Sequence, residues 1–151
     1  MRKEHISVET SKLLDKFRDT DTFFRYFGLH DPSWYIPKED RFIYNDRSDE
    51  DIQTHTKDVP DLCYTKQPIA ESYLAPVHSK VRSFLRNEYS IHISIQPYML
   101  SDMSGSKLRY NYEIMRQLGP KLHNYKFESG FSSYEDCIDR SLQISLAIAS
   151  E

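Results

Sequence analysis

Two stretches in the second half of the chain switch side-chain polarity at every residue, and this constrains the fold more than any other feature. In Ile91-His-Ile-Ser-Ile95 and in Leu108-Arg-Tyr-Asn-Tyr-Glu-Ile114, apolar and polar side chains alternate. Successive side chains of a strand point to opposite faces, so each stretch reads as a strand with one buried face and one wet face. A loop holding Gly105 joins them, which predicts an antiparallel hairpin of strands 91–99 and 107–115. Ahead of it, Val77, Val81, Phe84, Leu85 and Tyr89 recur at helical spacing behind Pro76, a residue that a first helical turn tolerates. A helix over 76–89 is expected.

A second helix is marked at the C-terminal end. Ser133-Tyr-Glu-Asp136 has the order of a capping box with Asp in the usual Glu position, and Ser132 with Glu135 is an equivalent register. Tyr134, Cys137, Ile138, Leu142, Leu146 and Ala149 form its apolar stripe over 133–149. Together these signals predict an α+β fold, an antiparallel sheet with helices packed on one face. The expected core joins Ile91, Ile93, Ile95, Leu108, Tyr110, Tyr112 and Ile114 to Val81, Phe84, Leu85, Ile138, Leu142 and Leu146. Between hairpin and helix, Gly119-Pro120 is a stop, and Tyr125 and Phe127 suggest a strand over His123 to Glu128.

The N-terminal half is less periodic. Ile6-Ser-Val8 alternates briefly, and Thr10 or Ser11 is placed to cap a helix carrying Leu13, Leu14 and Phe17 inward. Phe23-Phe-Arg-Tyr-Phe27 is compatible with a short helix or a strand; the helix is favoured, with Gly28 as its stop, and its aromatic groups are read as core rather than as a surface for a partner. Trp34-Tyr-Ile36 and Arg41-Phe-Ile-Tyr44 flank the turn-forming Pro37-Lys-Glu-Asp40, and Leu62-Cys-Tyr64 is a further short strand candidate. From about 45 to 61 the chain turns acidic, with Asp46, Asp49, Glu50, Asp51, Asp58 and Asp61 among few apolar groups, which predicts a solvated excursion. Asp46 to Asp58 lacks both the glycine and the distal glutamate of a calcium loop.

With 151 residues, the chain is expected to form a single domain, 1–151. Eleven tyrosines and eight phenylalanines supply burial that a 38% hydrophobic content would otherwise limit. Twenty basic against 23 acidic residues give a formal charge of −3, which leaves no global field for nucleic acid or anionic membrane. The start lacks the apolar run of a signal peptide, and no stretch approaches a membrane span. Together with Cys63 and Cys137, far apart and at no metal-binding spacing, with Cys137 read as a buried free thiol, this predicts a protein of the cytoplasm.

Sites of chemistry are sparse. None of His5, His30, His55, His78, His92 and His123 pair at a spacing that places two metal ligands on one face, so neither a metal nor a cofactor is expected. His92 sits on the polar face of the first hairpin strand near Gln96, with Glu113 on the polar face of its partner strand. A catalytic base needs such a carboxylate in reach, but no nucleophile completes the set, so His92, Gln96 and Glu113 read instead as partner-binding residues. Ser104-Gly-Ser-Lys107 lacks the first glycine and the spacing of a phosphate loop and reads as a hairpin tip. Lys80, Arg82 and Arg86 give the central helix a basic flank, with His78 on the same side, and Arg109 with Tyr98 extends it. Such a strip is a candidate path for a phosphate backbone; the plainer reading is a solvated helix face.

Tyr73-Leu-Ala-Pro76, Phe84-Leu-Arg-Asn-Glu88, Ile91-His-Ile93, Tyr110-Asn-Tyr112 and Phe131-Ser-Ser-Tyr-Glu-Asp136 together resemble one class of small proteins. These are uncharacterised α+β proteins encoded by prophages and mobile elements of gut anaerobic bacteria. The resemblance spans roughly Tyr73 to Ala149, with a fainter echo in Glu9-Thr-Ser-Lys-Leu-Leu14, and the chain departs from it over Asn45 to Ser72. It implies a mobile-element origin in a bacterial host cell and brings no catalytic residues. The expected function is that of a non-enzymatic accessory protein, binding another protein of host or phage through its polar sheet face and acidic loop. Nucleic-acid binding through Lys80, Arg82, Arg86 and Arg109 is the alternative.

Overall fold

The computed structural model describes residues 3–18, 20–27, 33–44 and 72–151. Its elements are helices and two three-stranded antiparallel sheets, the expected α+β class. Two compact units divide the chain, Met1–Lys80 and Val81–Glu151. The acidic excursion at 45–61, the Leu62-Cys-Tyr64 segment, Gly28, His30 and His55 lie outside the described residues.

In the first unit, helix α1 (Val8–Leu14) runs into a 3-10 turn, Asp15–Phe17, and helix α2 is Asp21–Phe27. The cap of α1 is Ser7, whose side chain accepts from the Thr10 N–H at 3.3 Å, not Thr10 or Ser11 as expected. Both of those residues are buried inside the helix, which starts earlier than periodicity suggested because Val8 is already helical. Leu14, Phe17, Phe23 and Phe27 are buried, in keeping with the core reading of the aromatic run.

Strands β1 (Trp34–Ile36) and β2 (Arg41–Ile43) form a hairpin across the Pro37–Asp40 turn, and β3 (Tyr73–Leu74) pairs with the other side of β1. As the central strand, β1 is buried at all three residues. Arg18 ties this unit together. Its guanidinium donates to the Ser72 carbonyl at 2.6 Å, meets Asp15 at 2.7 Å and lies 5.5 Å from the Trp34 ring centre. The N-terminal segment is anchored by Ile6 N–H to the Pro76 carbonyl at 3.1 Å and by a His5–Val77 bridge. Those bonds hold Pro76 and Val77 extended, so helix α3 is His78–Tyr89, two residues shorter at its start than expected.

The second unit is a meander. Strands β4 (Ile91–Asp102), β5 (Gly105–Leu118) and β6 (Lys121–Phe131) lie in that order, followed by helix α4 (Tyr134–Ala149). Pro97 is accommodated because β4 is an edge strand and needs no N–H donor on its open side. Gly130, at φ 95, lies within a register irregularity of β6 that no other residue type adopts cheaply. Ser133, rather than Ser132, caps α4 by accepting from the Asp136 N–H at 3.1 Å.

Helix α4 lies against all three strands. Cys137, Ile138, Leu142, Leu146 and Ala149 are buried with Ser141 and Ser145, and Ile91, Ile93, Tyr112 and Ile114 are buried on the sheet. Two expected core residues are not in it: Leu108 is 46% exposed and Tyr134 42% exposed, while Ile95 and Tyr110 are half-buried. Lengths explain the first. A helix of 16 residues is about 24 Å long, whereas the 14 residues of β5 extend over about 46 Å. The helix ends before the hairpin does. Tyr134 occupies the first turn of α4, where it meets Tyr110 edge-on at 6.0 Å.

Candidate functional site

Register decides which side chains share the sheet face opposite the buried one. His92 stands opposite Met115, Ser94 opposite Glu113, Gln96 opposite Asn111 and Tyr98 opposite Arg109. His92, Gln96 and Glu113 are therefore on one face, as their alternation predicted. Glu113 is the diagonal neighbour of His92, and no hydrogen bond joins the two among the described residues. Strand β6 continues the rows, with Phe127 beside Glu113, Asn124 beside Met115 and Leu122 beside Gln117. Phe127 is 61% and Leu122 57% exposed, so this face is less polar than the two-strand pattern implied.

The two ends of the sheet differ. At the β4–β5 turn, Met99, Leu100, Met103 and Leu108 are all exposed, Met103 completely. Asp102 shapes that turn by accepting from the Ser104 backbone N–H at 2.8 Å and from its hydroxyl at 2.5 Å. Those two bonds, aided by nearby Arg109, hold the Asp102 carboxyl below the usual carboxylate range. Gly105 follows at φ 118, outside the region open to other residues. At the β5–β6 turn, His92, Met115, Gln117, Pro120, Lys121 and Leu122 line a cleft of about 430 Å³. Sequence reading singled out His92 alone among these. The others become neighbours only once three strands are in register, although Gly119-Pro120 did mark the turn beneath them.

Of the four cations proposed for nucleic acid, Lys80, Arg82 and Arg86 lie on α3 and Arg109 on β5. Arg82 donates to the Ile93 carbonyl, which makes it a brace between α3 and β4. Arg86 is exposed beside Ser83, and Arg109 donates to the Leu108 carbonyl at 3.0 Å near the hairpin tip.

On the buried side, the Tyr112 hydroxyl donates to Glu128 Oε2 at 2.6 Å, and Arg140 approaches the same oxygen at 3.9 Å. Burial first, and then this hydrogen bond, hold the Tyr112 phenol well above its ordinary range. Burial and the Glu128 charge push the neighbouring Cys137 thiol up to about 11. The Tyr112–Glu128 hydrogen bond braces β5 against β6. Among the described residues, no group of three or more His, Cys, Asp or Glu is placed to hold a metal ion, and no helix is long and apolar enough to cross a membrane. Comparison with family models, with curated proteins and with solved structures finds no match for the chain.

Proposed function

We propose that the chain is an accessory protein of a phage or other mobile element that works in the host-cell cytoplasm by binding another protein, with no reaction of its own. The carrying observation is the β4–β5 hairpin that outruns helix α4 and ends in exposed Met99, Leu100, Met103 and Leu108. Apolar side chains concentrated on a projecting tip are costly to leave in water and favour a partner that covers them. Methionine suits such a contact, because its flexible thioether conforms to uneven surfaces. Lys107 and Arg109 flank the tip, and Gln96 and Glu113 lie further along the open face. They supply a polar rim of the kind that sets register in a transient interface.

A photo-crosslinking residue at Leu108, compared with one at exposed Ser79, tests this in lysate of a mobile-element-bearing host. Discrete protein adducts from Leu108 alone, abolished by Met103→Asp, are expected. Equal adducts from both positions, or none from Leu108, refute the reading.

A further inference from the structure

We propose that the cleft at the β5–β6 turn binds a small monocarboxylate with a short apolar body. All three strands build it, with Met115, Pro120 and Leu122 as apolar walls and His92, Gln117 and Lys121 as polar ones. A volume of about 430 Å³ lies in the range of small-ligand sites. No carboxylate belongs to the lining. Neither His92 nor Lys121 has a hydrogen-bond or ion-pair partner among the described residues, whereas the Gln117 amide already donates to the Gly119 carbonyl at 3.4 Å. A lone ammonium and an imidazole beside apolar walls select an anion over a neutral polar group, because a hydrogen bond to a charged acceptor is about twice as strong. The thioether and the leucine side chain then cover an alkyl body.

Glu113 limits the charge of the ligand. It lies one row beyond Met115 on the same face, so a second negative group extending along the sheet would meet it. The site is independent of the hairpin tip. Ten residues of β4 separate His92 from Asp102, about 33 Å of extended chain.

Methionine methyl NMR reads this directly, because Met115 lines the cleft while Met99 and Met103 report the tip. Octanoate, its neutral analogue octanol, and the acid acetyl-Ala-Leu serve as probes. Saturable displacement of the Met115 signal alone by an acid is expected. Lys121→Met should weaken it about tenfold, and Glu113→Gln should tighten it about two- to threefold. Lys121 is exposed, and an unchanged circular-dichroism spectrum and urea midpoint of the variant show that the fold is intact. The tighter of the two acids tells a free alkyl acid from a chain terminus as the source of the carboxylate. Octanol matching octanoate overturns the proposal, as does a silent Met115 or an octanoate response shared with Met99 and Met103. A tip that captures no protein leaves these readouts untouched, so the two ideas fail separately.

Discussion

Tyr112→Phe isolates one oxygen atom in the second unit. The ring is fully buried and packs 5.7 Å from Phe131, and phenylalanine keeps that packing. What disappears is the 2.6 Å hydrogen bond to Glu128. A hydrogen bond to a charged group contributes about 1.5–3 kcal/mol net. The Glu128 side chain is 39% exposed, so water restores part of the loss and the lower end, about 1.5 kcal/mol, applies. With a urea slope of about 1–1.5 kcal/mol per molar, the midpoint should fall by about 1 M. Tyr110→Phe is the control, since that ring is half-buried and its hydroxyl bonds to no described residue. The difference also depends on pH. Because the folded phenol stays protonated where the unfolded one ionises, the stabilisation is complete below about pH 10. Above it, the native protein should lose up to about 1.4 kcal/mol per pH unit relative to Tyr112→Phe. Equilibrium urea melts by circular dichroism at pH 7 and at pH 10.5 measure both effects. A loss at pH 7 below about 0.5 kcal/mol, or equal to that of Tyr110→Phe, refutes the brace between β5 and β6.

Cys137, its thiol pushed up to about 11 by burial, should resist a disulfide reagent at pH 8 until urea opens the second unit. Prompt labelling of the native protein at Cys137, located by mass spectrometry, contradicts that. Ser90 holds φ 56 between α3 and β4, a left-handed position that glycine occupies without strain. Ser90→Gly should raise stability by about 0.5–1 kcal/mol, and Ser90→Val should lower it by about as much, in the same melts.

Much of the second unit was legible residue by residue. Ile91 and Ile93 alternate with His92 and Ser94, and the structure buries the first pair and leaves the second on the other face. The α4 stripe of Cys137, Ile138, Leu142 and Leu146 is buried for the same reason, a spacing that every helix repeats. The first unit was less legible because its elements are short. A seven-residue helix shows barely two turns of periodicity, and Ser7, Thr10 and Ser11 are all chemically able to cap it. Pro76 fits a first helical turn in isolation, yet its carbonyl is claimed by Ile6 from a distant part of the chain.

Local pattern, then, determined which segments are helices and strands and which face of each is apolar, because those properties depend on neighbours a few residues away. Tertiary structure alone decided where α4 stops along the hairpin, and so why Leu108 joins an exposed tip while Tyr112 is sealed. It also decided that His92, Met115 and Leu122 border one cleft, since that depends on the register of three strands. Periodicity reports the direction in which a side chain points. Whether anything covers it depends on the length of the element opposite, which no local window contains.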